Sequence, residues 1–331
     1  MSGTEEDERR NEEDLTEAVA SVRRLYDSSA PFFTKNRIRE AYESLQESKK
    51  SGKRVHVRRL DGKLESFKIH HDRVSHVPQD GSEWIERPSV YYLSLQSLLD
   101  ETRIGATTSP YSNIRIVHYR ERRNKLDGQP SQPEVAASLQ RAIVSWRDSQ
   151  SWAQMRSALG RFQLGKVKKI VAFALGSLQT FSDEMKRANR SAFQHAFLIT
   201  LRDYLLSYTT QGDSEAKCYA QDPAYTEHDT AVLQSQGITI VPDPEGFLEV
   251  NQETVVISIS PNIPVRQVVL EISRPILVIW DSIEGDGFGG LPMTDPDSPR
   301  LQKWITEHYE TVGSLSELDY FGDVSVYVRR F

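Results

Sequence analysis

The sequence has a single cysteine, Cys218, among its 331 residues. One cysteine cannot form an intrachain disulfide, and it leaves no set of thiolates for a structural zinc site. The stretch around Cys218 is apolar, so we expect a small buried core residue there. A chain without disulfides is typical of a reducing compartment, and we expect the protein to be cytoplasmic.

Long apolar runs are also missing. No stretch approaches the roughly 18 apolar residues of a membrane-spanning helix, so we expect no membrane segment. The opening MSGTEEDERRNEED lacks the apolar segment of a secretory signal. It is polar, acidic and aperiodic, and we therefore expect residues 1–20 to be a disordered acidic tail.

The sequence lacks an overall excess of basic residues, since its net charge is −6. Contact with a nucleic acid would therefore have to come from local clusters of Lys and Arg, which otherwise are solvated faces. The cluster residues that we single out as candidates for a phosphate backbone are Arg122, Arg123, Lys125, Lys168, Lys169, Arg187 and Arg190.

The first half of the chain carries the signals of a mixed structure. Thr34 is a candidate N-cap before a helix with apolar residues at Ile38, Ala41 and Leu45. Alternating apolar residues around Asp61-Gly62 predict a β-hairpin. We therefore expect a smaller α+β region over residues 21–135, which ends in a linker with the sequence DGQPSQP.

In the second half, apolar runs alternate with helical segments, the pattern of a parallel sheet with crossover helices. Five strands are predicted in KKIVAFALGS, AKCYAQDP, GITIVP, TVVISISP and PILVIWD. We therefore predict the α/β fold class, with a Rossmann-like parallel sheet and a C-terminal extension over residues 136–331.

Ligands of such sheets bind outside the carboxyl ends of the strands, which selects the candidate site residues. The first turn lacks the three-glycine fingerprint of dinucleotide-binding domains, which disfavours a nucleotide- or methyl-donor-dependent enzyme. Ser177 in this turn is either an exposed nucleophile or the cap of the next helix. Asp222 suits a ribose hydroxyl or a simple turn. The candidate substrate-binding residues are Gly176, Asp222, Tyr225, Thr226, Asp229 and Asn262.

The end of the last predicted strand carries two acids, Asp281 and Glu284. Three residues apart, they can act together in proton transfer or bind an amine, although a solvated loop has the same spacing. His70, His71 and His76 lack a further cysteine or carboxylate at metal-ligand spacing, so we expect no metal.

Four segments of the second half, VAFALGS, FQHAFLITLRDYL, YAQDPAYTEHDTAVLQSQGITIV and SPNIPVRQVV, resemble the SRR1-like domain family in order and spacing. The resemblance covers residues 165–281. The segments LYDSSAPFFTKNRIRE and FGDVSVYVRRF resemble extensions of fungal members. Plant and animal members are known as regulators, whereas a fungal branch consists of arginine-containing cyclodipeptide synthases.

This resemblance implies a function in secondary metabolism. Synthases of this kind join Arg from Arg-tRNA to a second aminoacyl group and release a diketopiperazine, with aminoacyl-tRNAs as partners and no cofactor. Their Asp-Asp-x-x-Glu motif is matched by Asp281 and Glu284, while Trp280 stands at its first position. By analogy with other cyclodipeptide synthases, Ser177 would be the acylated nucleophile. The alternative that the resemblance implies is a non-catalytic regulatory or interaction protein.

Overall fold

A computed structural model describes residues 2–77, 82–103, 109–122, 130–164, 166–179, 185–207, 216–283, 294–315 and 320–330. The chain divides into two compact units, residues 1–124 and residues 125–331. The division falls slightly before the boundary expected at residue 135.

The first unit combines helices with antiparallel strands. Its elements are α1 (Ser2–Asp27), α2 (Lys35–Ser51), β1 (Val55–Arg58), β2 (Leu64–Phe67), β3 (Arg73–Val77), β4 (Ser82–Tyr92), α3 (Leu95–Arg103) and β5 (Ile114–Arg122). The predicted hairpin is confirmed as β1 and β2, and the strands β3, β4 and β5 form a second antiparallel sheet. The Thr34 side chain caps α2 by accepting the Arg37 N–H at 3.2 Å, as the sequence predicts.

The helix α1 occupies the segment that we expected to be a disordered tail. Its last turns bury Val22 and Tyr26, which lie one helical turn apart and so share one face. The expectation relied on acidic and polar composition. Glu and Arg are, however, also good helix formers, so that composition does not exclude a helix.

The second unit is an α/β domain. Its helices are α4 (Gln132–Arg147), α5 (Gln150–Leu159), α6 (Met185–Leu206), α7 (Glu227–Ser235), α8 (Glu245–Glu249), α9 (Val265–Ile272) and α10 (Pro299–His308). Its strands are β6 (Lys169–Phe173), β7 (Lys217–Gln221), β8 (Thr239–Ile240), β9 (Thr254–Ser258), β10 (Leu277–Asp281), β11 (Tyr309–Ser314) and β12 (Val324–Arg329).

The strands of this unit form one sheet in the order β11-β12-β10-β9-β6-β7-β8. The five predicted strands, β6 to β10, pair in parallel, which confirms the Rossmann-like fold. The chain enters at the central β6, moves outward through β7 and β8, and returns to the other side of β6 as β9. The connections therefore diverge between β6 and β9, and such a switch point opens a crevice at the carboxyl ends of the strands.

The C-terminal segment differs from the expected extension. It supplies β12, which inserts between β10 and β11 and is antiparallel to both. The alternating VSVYVR was a strand signal, but it carried no information about which neighbours the strand would pair with.

The core lies on both faces of the central strands. Every residue of β9 is buried, which explains why its sequence is a continuous apolar run rather than an alternating one. On one face, Trp146 packs against Phe197 and Phe321 with ring centroids 5.6 and 5.3 Å away. The predicted burial of Cys218 is confirmed, and it raises the pKa of that thiol to about 12.

We expect Gly246→Ala to destabilise the protein. A Cβ at this position would lie 2.6 Å from Oε1 of Gln221 and 3.0 Å from the Phe173 ring. Gln221 cannot easily retreat, because its amide donates to Asp243 at 2.9 Å and its Oε1 accepts the Gly246 N–H at 2.8 Å. Overpacking of this kind lowers the free energy of unfolding by about 1–3 kcal/mol, measurable by urea denaturation.

Gly313→Ala is the matched control, because a Cβ there meets no atom within 4 Å. Its free energy of unfolding should stay within about 0.5 kcal/mol of the parent value. Equal stability of the two variants would contradict the packing described around α8.

Candidate functional site

The loop after β6 is attached to the end of β7. The Gly176 N–H donates to Oδ2 of Asp222 at 2.7 Å, and the Ala224 N–H donates to its Oδ1 at 2.8 Å. Gly176 has φ +73°, a backbone conformation that favours glycine. Burial raises the pKa of Asp222, although these two N–H groups oppose the shift. Two predicted substrate-binding residues are thus brought together at the crevice, where Asp222 orders the loop.

Asp229 connects the same loop to the start of α7. Its buried carboxylate accepts the Ser177 hydroxyl at 2.7 Å and the Leu178 N–H at 3.0 Å. It also accepts the Thr226 N–H at 2.8 Å, while the Thr226 hydroxyl accepts the Asp229 N–H at 3.1 Å. The last two bonds form a capping box, so the capping interpretation of Thr226 and Asp229 is confirmed.

Ser177 is 7% exposed, and its hydroxyl also accepts the Gln179 N–H at 3.0 Å. These bonds make a turn within the loop. Residues 180–184 lie outside the described part of the chain, between this turn and α6, so the helix-cap interpretation of Ser177 also stays a prediction. A carboxylate that accepts a serine proton is also the arrangement of an activated hydroxyl. The nucleophile role of Ser177 stays a prediction.

A histidine that the sequence analysis did not single out lies beneath this loop. His195 on α6 is fully buried, and its Nδ1–H donates to the Ser191 carbonyl at 2.7 Å. A carbonyl only accepts, so Nδ1 carries the one N–H proton of the neutral ring. Nε2 is therefore unprotonated and accepts the Tyr225 hydroxyl at 2.9 Å. Burial lowers the pKa of His195 to about 4, so the ring is neutral at physiological pH. The signal in the sequence was a histidine in the largely apolar FQHAFL.

At the other side of the switch point, Asp281 ends β10. Its half-buried carboxylate accepts the Ser260 N–H at 3.2 and 3.3 Å through its two oxygens. Burial raises the pKa of Asp281, while the positive charges of Arg266 and Arg190 oppose that shift. In the described part of the chain, Ser260 is the one residue that hydrogen-bonds this carboxylate, which therefore keeps acceptor capacity for a ligand.

Arg266, another residue that the sequence analysis missed, hydrogen-bonds the main chain of Asp281. It is 3% exposed and donates from Nη1 to the Asp281 carbonyl at 3.2 Å and to Oδ1 of Asp297 at 2.8 Å. Its Nε and its backbone N–H both donate to Oδ2 of Asp295, at 3.3 and 3.0 Å. Burial raises the pKa of Asp295 to about 6 despite this guanidinium. An Arg inside the apolar helix VRQVVLEI was the available signal.

The remaining acid and amide predictions have mixed outcomes. Asn262 is exposed in the loop after β9. Glu284 lies outside the described residues, so its pairing with Asp281 stays a prediction. Trp280, at the first position of the acidic motif, is fully buried in the core, so its side chain does not line the crevice.

The three predicted basic residues whose side chains are described do not share one surface. Lys168 and Lys169 lie at the amino end of β6, opposite the crevice, in ion pairs with Glu253 at 3.3 Å and Glu249 at 2.5 Å. Arg190, near the start of α6, lies at the same edge of the sheet as Asp281. The residues Arg123 and Lys125 and the side chains of Arg122 and Arg187 lie outside the part of the structure that is described.

A groove of about 330 Å³ lies between α5 and the carboxyl end of β11, two strands away from β10. It is lined by Ser151, Gln154, Met155, Ala158, Val312, Gly313, Ser314 and Leu315. None of these side chains titrates, and none was predicted to act in a site. We therefore place the candidate site at the crevice, where Asp222, Asp281 and Arg190 supply charge.

The described residues contain no group of three or more His, Cys, Asp or Glu side chains placed to hold a metal ion. None of the helices within them has the length and apolar character that a membrane span requires.

We expect His195→Gln to flatten the acid side of the stability profile. The pKa of His195 falls from 6.5 to about 4 on folding, so between these values the unfolded chain binds the extra proton. The free energy of unfolding therefore decreases as the pH falls. From about pH 7 to about pH 5 this single group removes about 2 kcal/mol, which the Gln variant should not lose.

The measurement is the difference between parent and variant in urea denaturation at the two pH values, because Asp295, whose pKa is raised, contributes in the opposite direction. His308→Gln is the control, since this side chain is one-third exposed at the end of α10. Identical pH dependence in the parent and His195→Gln would contradict a buried neutral imidazole.

Comparison with known proteins assigns this chain to a family. A search of the curated proteins finds no match. Among solved structures, the chain is similar to a putative O-methyltransferase from Klebsiella pneumoniae, with 15% identity, a TM-score of 0.31, and coverage of 62% of this chain and 92% of that one. The SRR1 domain matches residues 139–328, which span α6, the strand ends and β12. Since this match covers more than half of the chain, the protein belongs to the SRR1 domain family.

Proposed function

We propose that this protein is a tRNA-dependent cyclodipeptide synthase that joins arginine from Arg-tRNA to a second aminoacyl group in secondary metabolism. The observation that supports the proposal most is the Asp281 carboxylate. It stands half-buried at the carboxyl edge of the sheet, and among the described residues Ser260 is its hydrogen-bond partner. A carboxylate with open acceptor positions suits a guanidinium or an α-ammonium group.

The reaction requires the protein to position two aminoacyl esters and to transfer protons. Aminoacyl esters are already activated, so the α-amine of one residue can attack the ester carbonyl of the other while the tRNA hydroxyl leaves. The amine must first lose a proton. Asp281 suits this step because burial raises its pKa, which makes the carboxylate a better base than an exposed Asp. In the proposal, Glu284 shares the task and binds the arginine side chain.

Ser177 is the proposed nucleophile for an acyl-enzyme step. Its hydroxyl already donates to the Asp229 carboxylate, which could draw off the proton as the ester is attacked. The tRNA leaving group would take up that proton. The acyl group would later pass from Ser177 to the α-amine of the second aminoacyl-tRNA, whose proton would return to the Ser177 oxygen. The free amine of the resulting dipeptidyl-tRNA would then attack its own ester carbonyl, which closes the ring and releases the second tRNA with the amine proton.

Basic residues would contact the tRNA backbone. Arg190 supports this part of the proposal because it lies at the same edge of the sheet as Asp281, and Arg122, Arg123, Lys125 and Arg187 remain candidates. Lys168 and Lys169 are already paired with acids at the opposite edge of the sheet, so they would contribute only if the tRNA extended around the domain.

One observation favours a second candidate function, that of a non-catalytic regulatory or interaction protein. Trp280 replaces the first acid of the motif that arginine-containing synthases carry, and its side chain fills the core. The crevice then has one acid fewer than a synthase of that branch.

The two candidates separate in a bacterial expression experiment. The full chain should release cyclic dipeptides that contain arginine, detectable by mass spectrometry of the medium. Asp281→Asn and Glu284→Gln should each lower the yield by at least about 100-fold, since each removes a proton-transfer or charge-binding group. Glu253→Gln, which changes a carboxylate at the opposite edge, should leave the yield unchanged. An unaltered metabolite profile with folded, well-expressed protein would overturn the synthase proposal in favour of the second candidate.

The acyl-serine step has its own test. Ser177→Ala should abolish product and prevent radiolabelled arginine from remaining on the protein after denaturation. Thr226→Ala serves as the comparison, because it removes another hydroxyl bonded to Asp229 but no proposed nucleophile. Full activity of Ser177→Ala would refute the covalent step and leave Ser177 with its role in the loop.

A further inference from the structure

Arg190 stands beside the last strands of the sheet in a fixed orientation. Its Nε donates to the Tyr320 carbonyl at 3.1 Å, and Gln194, one helical turn further along α6, donates to the same carbonyl at 2.9 Å. The Phe193 ring stacks on Tyr320 with centroids 4.0 Å apart. The α6 face thus holds the segment before β12, and this contact aims the guanidinium of Arg190.

The terminal nitrogens of Arg190 lie next to Gly322. A Cβ on this glycine would meet Nη2 at 3.3 Å, and its φ of +71° also favours glycine. The next residue, Asp323, accepts the Ser282 N–H at 2.8 Å and the Ser282 hydroxyl at 2.9 Å. Asp281 precedes Ser282, so a short run of direct contacts connects the guanidinium to the carboxylate.

These opposite charges are close without neutralising each other. The Arg190 charge acts on Asp281, yet among the described residues the two side chains share neither an ion pair nor a hydrogen bond. Within the described residues, the Arg190 side chain donates only from Nε, and the Asp281 carboxylate accepts only from Ser260. Both half-buried groups therefore keep hydrogen-bonding positions on the crevice side.

We propose that Arg190 and Asp281 bind the two ends of one dipolar ligand, a free α-amino acid with a cationic side chain. Its carboxylate would pair with the Arg190 guanidinium, for which the fork geometry of Arg is well suited, and its cation would pair with Asp281. The inference goes beyond the proposed function, because it concerns a free amino acid and requires neither tRNA nor turnover.

The test is isothermal calorimetry on the full chain with three probes. L-Arginine carries both charged ends, agmatine lacks the carboxylate, and L-citrulline has a neutral side chain of the same shape. Arginine should bind more tightly than either of the others by at least about tenfold, the ratio expected for one charge-assisted contact.

Two variants test which residue binds which charged end of the ligand. Arg190→Gln should lower the affinity for arginine to that for agmatine and leave agmatine binding unchanged. Asp281→Asn should weaken both. Arg190→Gln should remain folded, because Gln194 still holds Tyr320. Gly322→Ala, which keeps the Arg190 side chain but crowds it, should also reduce the preference for arginine over agmatine. Lys217→Gln, which changes an exposed residue at the amino end of β7, should change nothing.

The proposal is overturned if arginine binds no more tightly than agmatine, or if Arg190→Gln weakens agmatine as much as arginine. Its failure is distinguishable from that of the synthase proposal, since amino-acid binding without cyclic dipeptide production, or production without free amino-acid binding, would each reject one proposal and retain the other.

Discussion

The guanidinium of Arg266 is buried at the start of α9, and the geometry of the crevice depends on it. It donates to Asp295, to Asp297 and to the main chain of Asp281, and so joins α9, the segment before α10 and the end of β10. Burying one charge without partners would be very costly, and two carboxylates with several hydrogen bonds offset that cost. Arg266 hydrogen-bonds the carbonyl of Asp281 and the carboxylates of Asp295 and Asp297. The side-chain carboxylate of Asp281 is not used in this network and can bind a ligand in the crevice.

The opposite side of the crevice uses most of its polar groups within the protein. His195 is neutral, and Tyr225 donates to it, while the Asp229 carboxylate binds the loop after β6 and the start of α7. Of the two acids that bind this loop, Asp229 is fully buried and Asp222 is partly exposed. The charges available to a ligand are thus concentrated around Asp281, Arg190 and Asp222, which is the physical basis for the functional proposals.

The parallel strands could be predicted from sequence because each is a short apolar run bounded by turn residues. Their carboxyl ends then located Gly176, Asp222 and Asp281 at one edge of the sheet. The antiparallel insertion of β12 could not be predicted, because alternation identifies a strand but not its neighbours. The helix α1 was missed since acidic composition suits both a solvated helix and a disordered chain.

Arg266 and His195 were missed because each is a polar residue within an apolar helix, and its partners come from distant segments such as Asp295 and Tyr225. Lys168 and Lys169 resembled a basic patch, but their acidic partners lie about 80 residues further along the chain.

We propose that the crevice at the carboxyl ends of β6, β9 and β10 is the functional site and that Asp281 is its cation-binding group. The most direct measurement is a crystal structure of the full chain grown or soaked with L-arginine. The account predicts the guanidinium or ammonium group within hydrogen-bond distance of the Asp281 carboxylate and the ligand carboxylate facing Arg190. Arginine bound in another part of the domain, with the crevice filled only by water, would contradict it.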